Sequence, residues 1–380
     1  MAKKLCFVVT DAISFNVLYR GQLEYLADSG CELTLICGGL STQLDTLRAR
    51  NIGRVIDYGL VRNPSVWPDL LSLFKLAWHF LFNRYDVVVS TTPKALLLGS
   101  VAAFLTCQSR RVSFFQGRVY ENFKGLKRKI YTLLDSIVVA CSHEVIFVSK
   151  SLMTEFVKDI PSASKKGKVI GGGSGNGVCS DTFSPEVVSE SKILMVRHEL
   201  GIKDTDFVVL SAGRICEDKG INEIIEVANL VAKKVTNVRF IMLGNIEDYK
   251  AFERLSELRE RGVVIHIDFV SDMTPYFALS DLHLFLSHRE GFGNVAIEAA
   301  AMGVPTFAFD VVGVRDSVAE GVSGLRFRLG ASASVANAIL QFISTPEVMG
   351  ITFEGSRDWA IKNFSKENVW KNYKLFYFDC

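Results

Sequence analysis

The chain alternates short, unbroken apolar runs with segments long enough to be helices, and does so along most of its length. Runs at 5–9, 33–37, 87–90, 112–115 and 145–149 are followed by a second series at 207–211, 239–243, 263–267, 282–286 and 305–309. A strand that is apolar on both faces belongs in a parallel sheet covered by helices on either side, because a half-exposed strand would alternate polar with apolar side chains. Two such series in 380 residues exceed what one core usually covers. The expected class is therefore α/β with two Rossmann-like domains, 1–180 and 181–365, and a terminal helix at 366–380 that returns to the first. Trp370, Tyr373, Phe376, Tyr377 and Phe378 make that tail unusually aromatic, and so many rings need a surface to bury them.

Composition excludes several classes. A hydrophobic content of 49% and a mean hydropathy of +0.24 imply large cores, and a net charge of +2 gives no reason to expect nucleic acid as a partner. The eight cysteines, Cys380 among them, form no C-x-x-C pair, which argues for reduced thiols in a cytoplasmic setting and against a zinc site. Met1 to Lys4 begin like a signal peptide, but Asp11 ends the apolar run too early, so this segment is expected to be the first strand. The longest nearly uncharged stretch, 95–107, falls short of the roughly 20 residues that span a bilayer.

Chemistry concentrates in residues 287–305. The apolar run at 282–286 reads as a buried strand, a glycine-bracketed turn follows, and Asn294 is placed to cap a helix carrying Glu298. Strand, tight turn and helix N-terminus together form an anion pocket. Glu290 and Glu298 flank it, and carboxylates hold hydroxyls rather than phosphates, so a sugar or ribose beside a phosphate is the expected occupant. Upstream, the run at 207–211 leads into Gly213 and Arg214, then Lys219 and Gly220 at the start of an amphipathic helix. Two cations there could clamp a diphosphate from the other side; singly each reads as part of a solvated loop.

The remaining signals are weaker. The glycine-rich segment 171–177 reads as a passive linker or, preferably, as an interdomain loop lining a cleft; no Gly-Lys-Ser/Thr makes it a P-loop. Asp204 and Asp206 form an Asp-x-Asp, but before a strand rather than after one, which favours a polar turn over a metal site. His288 is either donor-facing or a strand-end core histidine, and no histidine cluster offers a ligand set. No clean G-x-G-x-x-G follows the first strand, so a hydride-transferring dehydrogenase fits poorly.

Taken in order, these motifs resemble retaining glycosyltransferases of the GT-B fold, family four. The resemblance rests on the Glu-x7-Glu pattern from Glu290 to Glu298 in Arg-Glu-Gly-Phe-Gly-Asn-Val, on Gly213-Arg214 with Lys219-Gly220, on Gly303-Val304-Pro305 and on Gly321-x-x-Gly324-Leu325. It implies two domains facing across a cleft and metal-independent transfer from a nucleotide sugar, UDP-linked as in the bacterial subgroup described next, with no cofactor. Arg214, Lys219 and Glu290 would be catalytic, with Gly213, Gly291, Phe292, Gly293, Asn294, Val295 and Glu298 completing the donor site. Thr92-Pro93-Lys94, Gly117-x-x-Tyr120-Glu121 and 173–178 resemble a bacterial subgroup that extends polyprenyl-diphosphate-linked glycans of capsule, O-antigen or protein-glycan synthesis. That places the acceptor against Ser14, Lys94, Gln116, Gly117, Arg118, Glu121 and Asn176, in loops that include Asn122. The chain departs from the family in three places: the first loop lacks a Gly-Gly pair, Gln116-Gly117-Arg118 stands where an acceptor-side histidine is usual, and Gly293 replaces a frequent proline.

A lipid-linked acceptor implies peripheral attachment to the cytoplasmic face of the inner membrane. The segment 70–82, with Phe74, Trp78 and Phe82, is expected either at a bilayer interface or buried under the sheet. Lys124, Lys127, Arg128 and Lys129 add a basic patch suited to anionic lipid, or else an ordinary solvated helix face. Two other readings use the same donor pocket: a GT-B nucleotide-sugar epimerase, and a non-catalytic nucleotide-binding subunit.

Overall fold

The computed structural model describes residues 2–61, 63, 65–121, 123–344 and 353–378. Met1, Asn122 and Cys380 lie outside the described residues. The chain divides into two compact units, one of Met1–Gly177 with Lys366–Cys380 and the other of Val178–Ser365.

The first unit runs β1 (Lys3–Val8), α1 (Ala12–Leu18), α2 (Gln22–Asp28), β2 (Cys31–Cys37), α3 (Ser41–Ala49), β3 (Arg54–Asp57), α4 (Val66–Phe82), β4 (Val87–Thr91), α5 (Pro93–Leu105), β5 (Arg111–Phe115), α6 (Gly125–Cys141), β6 (Glu144–Phe147), α7 (Lys150–Asp159) and β7 (Gly167–Val169). Its seven strands are parallel in the order β3-β2-β1-β4-β5-β6-β7. The expected runs form the central strands; β3 and β7 are additional. These two are short, half-exposed edge strands, and so carry no apolar run to betray them.

The second unit runs α8 (Glu190–Glu199), β8 (Phe207–Ala212), α9 (Ile221–Ala232), β9 (Val238–Leu243), α10 (Tyr249–Glu253), α11 (Ser256–Glu260), β10 (Val264–Ile267), α12 (Thr274–Ala278), β11 (Leu282–Phe285), α13 (Asn294–Ala301), β12 (Thr306–Phe309), α14 (Val314–Ser317), β13 (Gly324–Phe327), α15 (Ser332–Ser344) and α16 (Ser356–Phe364). Six parallel strands take the order β10-β9-β8-β11-β12-β13. Along β8, Val209 joins one core with α9, while Val208 and Leu210 join the opposite core with Phe277 and Met302. Successive side chains of a strand point to opposite faces, so a run buried at every position needs a helical layer on each side. Burying Ile221, Ile224, Ile225, Val227 and Val231 of α9 stabilises the unit by about 1.5–3 kcal/mol per side chain.

Right-handed crossovers set the helix layers. The connections β3 to β4, β4 to β5 and β5 to β6 all step the same way across the first sheet, so α4, α5 and α6 share one face of it, with α5 packed on both neighbours. α5 is buried along most of its length for that reason. α4 is buried under the sheet on one side only: Ser72, Leu76, His79 and Phe80 are buried, while its other face is apolar and exposed.

The final helix, α17 (Lys366–Phe378), packs on the first unit, as its aromatic content requires. Tyr377 meets Phe7 edge-on at 5.7 Å, Tyr373 lies 5.6 Å from Phe114, and Trp370 lies 5.9 Å from Tyr25. The Trp370 indole N–H donates to the Asn176 side chain at 2.7 Å, and the Tyr373 hydroxyl to the Ser174 carbonyl at 3.2 Å. The 171–177 segment is thereby pinned, and the Ser174 amide also donates to the Val148 carbonyl at 2.8 Å. A passive linker would not carry this many bonds.

The two buried tyrosines of α17 differ in one respect: the Tyr377 hydroxyl is buried with no hydrogen-bond partner among the described residues. Tyr377→Phe removes an unsatisfied polar group and is expected to leave the thermal midpoint unchanged or raise it. Tyr373→Phe removes a made hydrogen bond and should cost about 1 kcal/mol. Thermal unfolding of the pair checks this; the reverse order would contradict it.

Candidate functional site

In the second sheet, β8 and β11 are neighbours, yet the chain leaves β8 toward β9 and leaves β11 toward β12. Strand order reverses between them, and in an open α/β sheet the crevice at the carboxyl ends of such strands is where ligands sit. Both motif stretches lie there. Gly213, Arg214 and Lys219 follow β8; Ser287 to Gly293 follow β11.

Glycines bring the two turns together. Gly220 has φ +78°, and a Cβ on it would collide with the Leu286 carbonyl oxygen. No other residue could seat Lys219 this close to the end of β11. Lys219 and Glu290 consequently form an ion pair, with the lysine side chain 25% and the carboxylate 14% exposed. The backbone reinforces the junction: the His288 amide donates to the Asp218 carbonyl at 2.9 Å, and the Ser287 hydroxyl to the same oxygen at 3.2 Å.

Sequence reading makes Asn294 the helix cap; the cap is Gly293. Asn294 is the first residue of α13, and Gly293, at φ +92° and ψ 59°, precedes it without any side-chain cap bond. A Cβ at 293 would lie 2.8 Å from the Phe285 ring and 3.0 Å from the Ser317 hydroxyl, which is why neither proline nor asparagine takes the turn. A helix N-terminus left without a side-chain cap keeps its positive end available to an anion. Phe292 points into the core instead, 4% exposed and 5.1 Å from the Phe364 ring. Gly291 is approached by residue 313, where a Cβ would lie 2.8 Å from its carbonyl oxygen.

Glu298 sits one turn into α13, half-buried, and among the described residues its carboxyl has no hydrogen-bond or ionic partner. Burial pushes its pKa up to about 7. A carboxyl held in this state, facing no protein donor, is suited to receive hydroxyls from a ligand.

Arg214 lies beside the Lys219–Glu290 pair but is occupied by Glu247, at 2.6 Å, on an open rim that also carries Asp218 and Tyr249. Three partners in this region lie outside the motifs. Arg289 pairs with Asp218 at 2.6 Å, and that bond is the chief reason the Asp218 carboxyl stays below its usual range. The His288 Nε2–H donates to the Glu223 carboxylate at 2.9 Å. This bond raises the His288 pKa above that of a free imidazole; on Glu223 burial is the largest single effect and works upward, but this bond, a backbone hydrogen bond and the His288 charge together outweigh it and the carboxyl ends lower. His288 therefore braces the turn against α9. None of the three, Glu223 in the first turn of α9, Glu247 and Asp218, carried a signal in the sequence for its partner.

The Asp-x-Asp is spent on the fold. Asp206 is 5% exposed at the amino end of β8, accepts from the Lys203 amide at 2.9 Å and pairs with Arg239 at 3.3 Å.

In the first unit, the same topological rule places Ser14 in α1 after β1, Lys94 in α5 after β4, and Gln116, Gly117, Arg118 and Glu121 after β5. The switch point between β1 and β4 is tightly knit: the Thr92 hydroxyl lies 2.7 Å from that of Thr10 and accepts the Thr10 amide at 2.9 Å, with Thr92 at φ +68°. Lys94 is held by Asp69 at 2.6 Å, and the Gln116 amide donates weakly to the Tyr19 hydroxyl at 3.4 Å. Arg118 differs from a ligand-facing residue. It is 4% exposed, with its guanidinium 2.7 Å from Asp159, so it holds the loop in place. Asn176 donates to the Arg20 carbonyl at 3.0 Å.

Comparison with known proteins agrees with this geometry. A family model described as Glycosyl transferases group 1 matches residues 195–357, and one described as Glycosyltransferase Family 4 matches 18–173. The capsular polysaccharide biosynthesis glycosyltransferase CapM of Staphylococcus aureus is 29% identical over 379 residues, covering 99% of this chain and 97% of that protein. The UDP-Gal:alpha-D-GlcNAc-diphosphoundecaprenol alpha-1,3-galactosyltransferase of Escherichia coli is 23% identical, covering 90% and 88%. Among solved structures, Anabaena HepE in complex with UDP and glucose superposes with a TM-score of 0.81 at 20% identity over the whole of both chains. The two family matches fall one in each unit, and the chain belongs to the group-one glycosyltransferases of the GT-B fold, hexosyltransferase-type enzymes.

Proposed function

We propose that the protein transfers a sugar, with retention of anomeric configuration and without a metal, from a UDP-sugar to a polyprenyl-diphosphate-linked saccharide in bacterial surface-polysaccharide synthesis. The observation that carries the donor half is the Lys219–Glu290 pair at the strand-order reversal, beside the glycine-capped start of α13. The acceptor half rests on likeness: the Staphylococcus aureus relative is named for capsule synthesis, and the Escherichia coli relative for a UDP-Gal donor and a diphosphoundecaprenol acceptor. HepE, solved with UDP, adds the nucleotide.

In this reading the charges that now neutralise one another are redistributed by the donor. Lys219 and Arg214 turn to the diphosphate, and the α13 N-terminus supports the negative charge that grows on it as the glycosidic bond breaks. Glu290 takes hydroxyls of the transferred sugar and Glu298 those of the ribose. The acceptor hydroxyl attacks on the face the diphosphate leaves and gives its proton to the departing phosphate oxygen, so no protein nucleophile is required. Ser14 of α1, Lys94 of α5 and the loops carrying Gln116, Glu121 and Asn176 bind the acceptor, and Arg118 positions the loop that contains Gln116.

Lys219→Ala, Arg214→Ala and Glu290→Ala should each lower kcat/KM for transfer by roughly a hundredfold or more. Rates near wild type in all three would sink the donor assignment, and UDP release that does not depend on a lipid-linked acceptor would favour the epimerase.

Because the Glu298 carboxyl accepts hydroxyls best when ionised, UDP affinity should rise as pH climbs through about 7, and Glu298→Gln should flatten that rise. The same group also acts on stability. Its folded pKa lies above the ordinary 4.5, so its contribution is full below that value and is lost as pH rises through about 7. Glu298→Gln should therefore gain stability relative to wild type at pH 8, read by thermal midpoint.

With Asp206 committed to Arg239, transfer should survive EDTA. Complete loss restored by manganese would contradict the metal-independent mechanism.

A further inference from the structure

The outward face of α4 is apolar and aromatic. Trp67, Leu70, Leu71, Phe74, Trp78 and Phe82 are each more than half exposed. Phe74, Trp78 and Phe82 form a ladder at four-residue spacing, with ring centroids 6.0 and 5.0 Å apart. Two helices along the same face of the sheet, α6 exposes Leu126, Ile130, Leu133 and Ile137, again at helical spacing. Exposed Lys124, Lys127 and Lys129 border that stripe, with the Lys127 ammonium 4.0 Å from the centre of the Phe123 ring.

Charge separates this surface from an ordinary solvated one. α4, α5 and α6 contain two carboxylates among them, Asp69 and Asp135, and neither is offered outward: Asp69 holds Lys94 at 2.6 Å and Asp135 accepts the Tyr120 hydroxyl at 2.5 Å. A helix of 17 residues is about 25 Å long. With α5 as spacer, α4 and α6 lie about 16–20 Å apart. The surface so framed is on the order of 500 Å², near the upper limit for a chain that stays free in water.

We infer that this α4–α6 face docks on a lipid bilayer bearing anionic headgroups, with the α4 rings set at the interface and the α6 lysines on the headgroups. Aromatic rings with long cationic side chains are the composition that suits that depth, the ammonium groups reaching up to phosphate while their stems lie along apolar surface. Among the described residues, no helix is long and apolar enough to cross a membrane, so attachment by such a face is attachment by one leaflet. Direction follows from topology. The Trp67 end of α4 follows β3 and the basic end of α6 follows β5, so both lie at the carboxyl edge of the sheet, with Lys94 and Gln116. Docking thus presents that edge where the diphosphate of a membrane-held acceptor lies, an extension that rests on the lipid-linked acceptor proposed above.

The test is flotation of the full chain with phosphatidylcholine vesicles, with and without a third of phosphatidylglycerol, and no acceptor. Wild type should bind the anionic vesicles and bind the neutral ones more weakly. Phe74→Ser with Trp78→Ser should lose more than roughly tenfold on both. Lys127→Glu with Lys129→Glu should lose roughly tenfold on the anionic vesicles only. All four side chains are exposed, so an unchanged thermal midpoint shows that the variants are folded. Failure of wild type to bind, or equal binding by both double variants, overturns the inference. So does self-association that Phe74→Ser with Trp78→Ser abolishes in the absence of vesicle binding, because the face would then join two copies of this chain. UDP binding measured on the same samples separates the two readings: vesicle binding without UDP affinity would sink the proposed donor and leave the docking face, and the reverse result would do the opposite.

Discussion

The second unit of this protein depends on one close approach. Gly220 at the start of α9 lies against the carbonyl of Leu286 at the end of β11, where a Cβ has no room. Parallel strands β8 and β11 are neighbours whose onward connections run opposite ways, so their loops part above the sheet and leave a crevice between them. The Gly220 contact closes that crevice at its base. It sets Lys219 on Glu290, lets His288 and Ser287 bond to the Asp218 carbonyl, and brings the cap of α13 alongside.

Around that contact the charges form a balanced set in which most groups already have partners. Lys219 has Glu290, Arg214 has Glu247, Arg289 has Asp218 and His288 has Glu223. Among the described residues Glu298 is the exception, a half-buried carboxyl whose pKa burial raises to about 7. Pairs on an open rim contribute at most about 1 kcal/mol, so Arg214 and Glu247 separate at small cost. His288 and Arg289 serve differently: they tie the turn to α9 and to the segment before it, which keeps Glu290 in register with Lys219.

The first unit applies the same sheet logic to another purpose. Its carboxyl edge carries polar loops, with Thr92 held at positive φ by its bond to Thr10, and its α4–α6 layer carries a face that water does not favour. The right-handed crossover rule puts both on one body: three successive steps in one direction lay α4, α5 and α6 on one side, and each helix begins or ends at an edge fixed by its strand. Residues 171–177 and α17 then lock that body together through Asn176, Ser174 and their aromatic partners.

The amino-acid sequence alone determined the α/β class, the two Rossmann-like units, the return of the aromatic tail and the place of the Glu290 and Arg214 motifs at strand ends. It could do so because runs apolar on both faces have only one kind of home, and because Glu290, Glu298, Arg214 and Lys219 follow strands. It did not reveal β3, β7 and β13, since short edge strands bury too little to leave a pattern. Nor could it rank Asn294 against Gly293 as cap: the choice turns on Phe285 and Ser317, which only folding brings to that turn. Tertiary structure alone showed that Arg118 is buried on Asp159, that Arg214 is held by Glu247, and that α4 has an apolar face on each side. Periodicity records how apolar a helix is around its circumference, but which side meets the sheet is decided by the neighbours that pack against it.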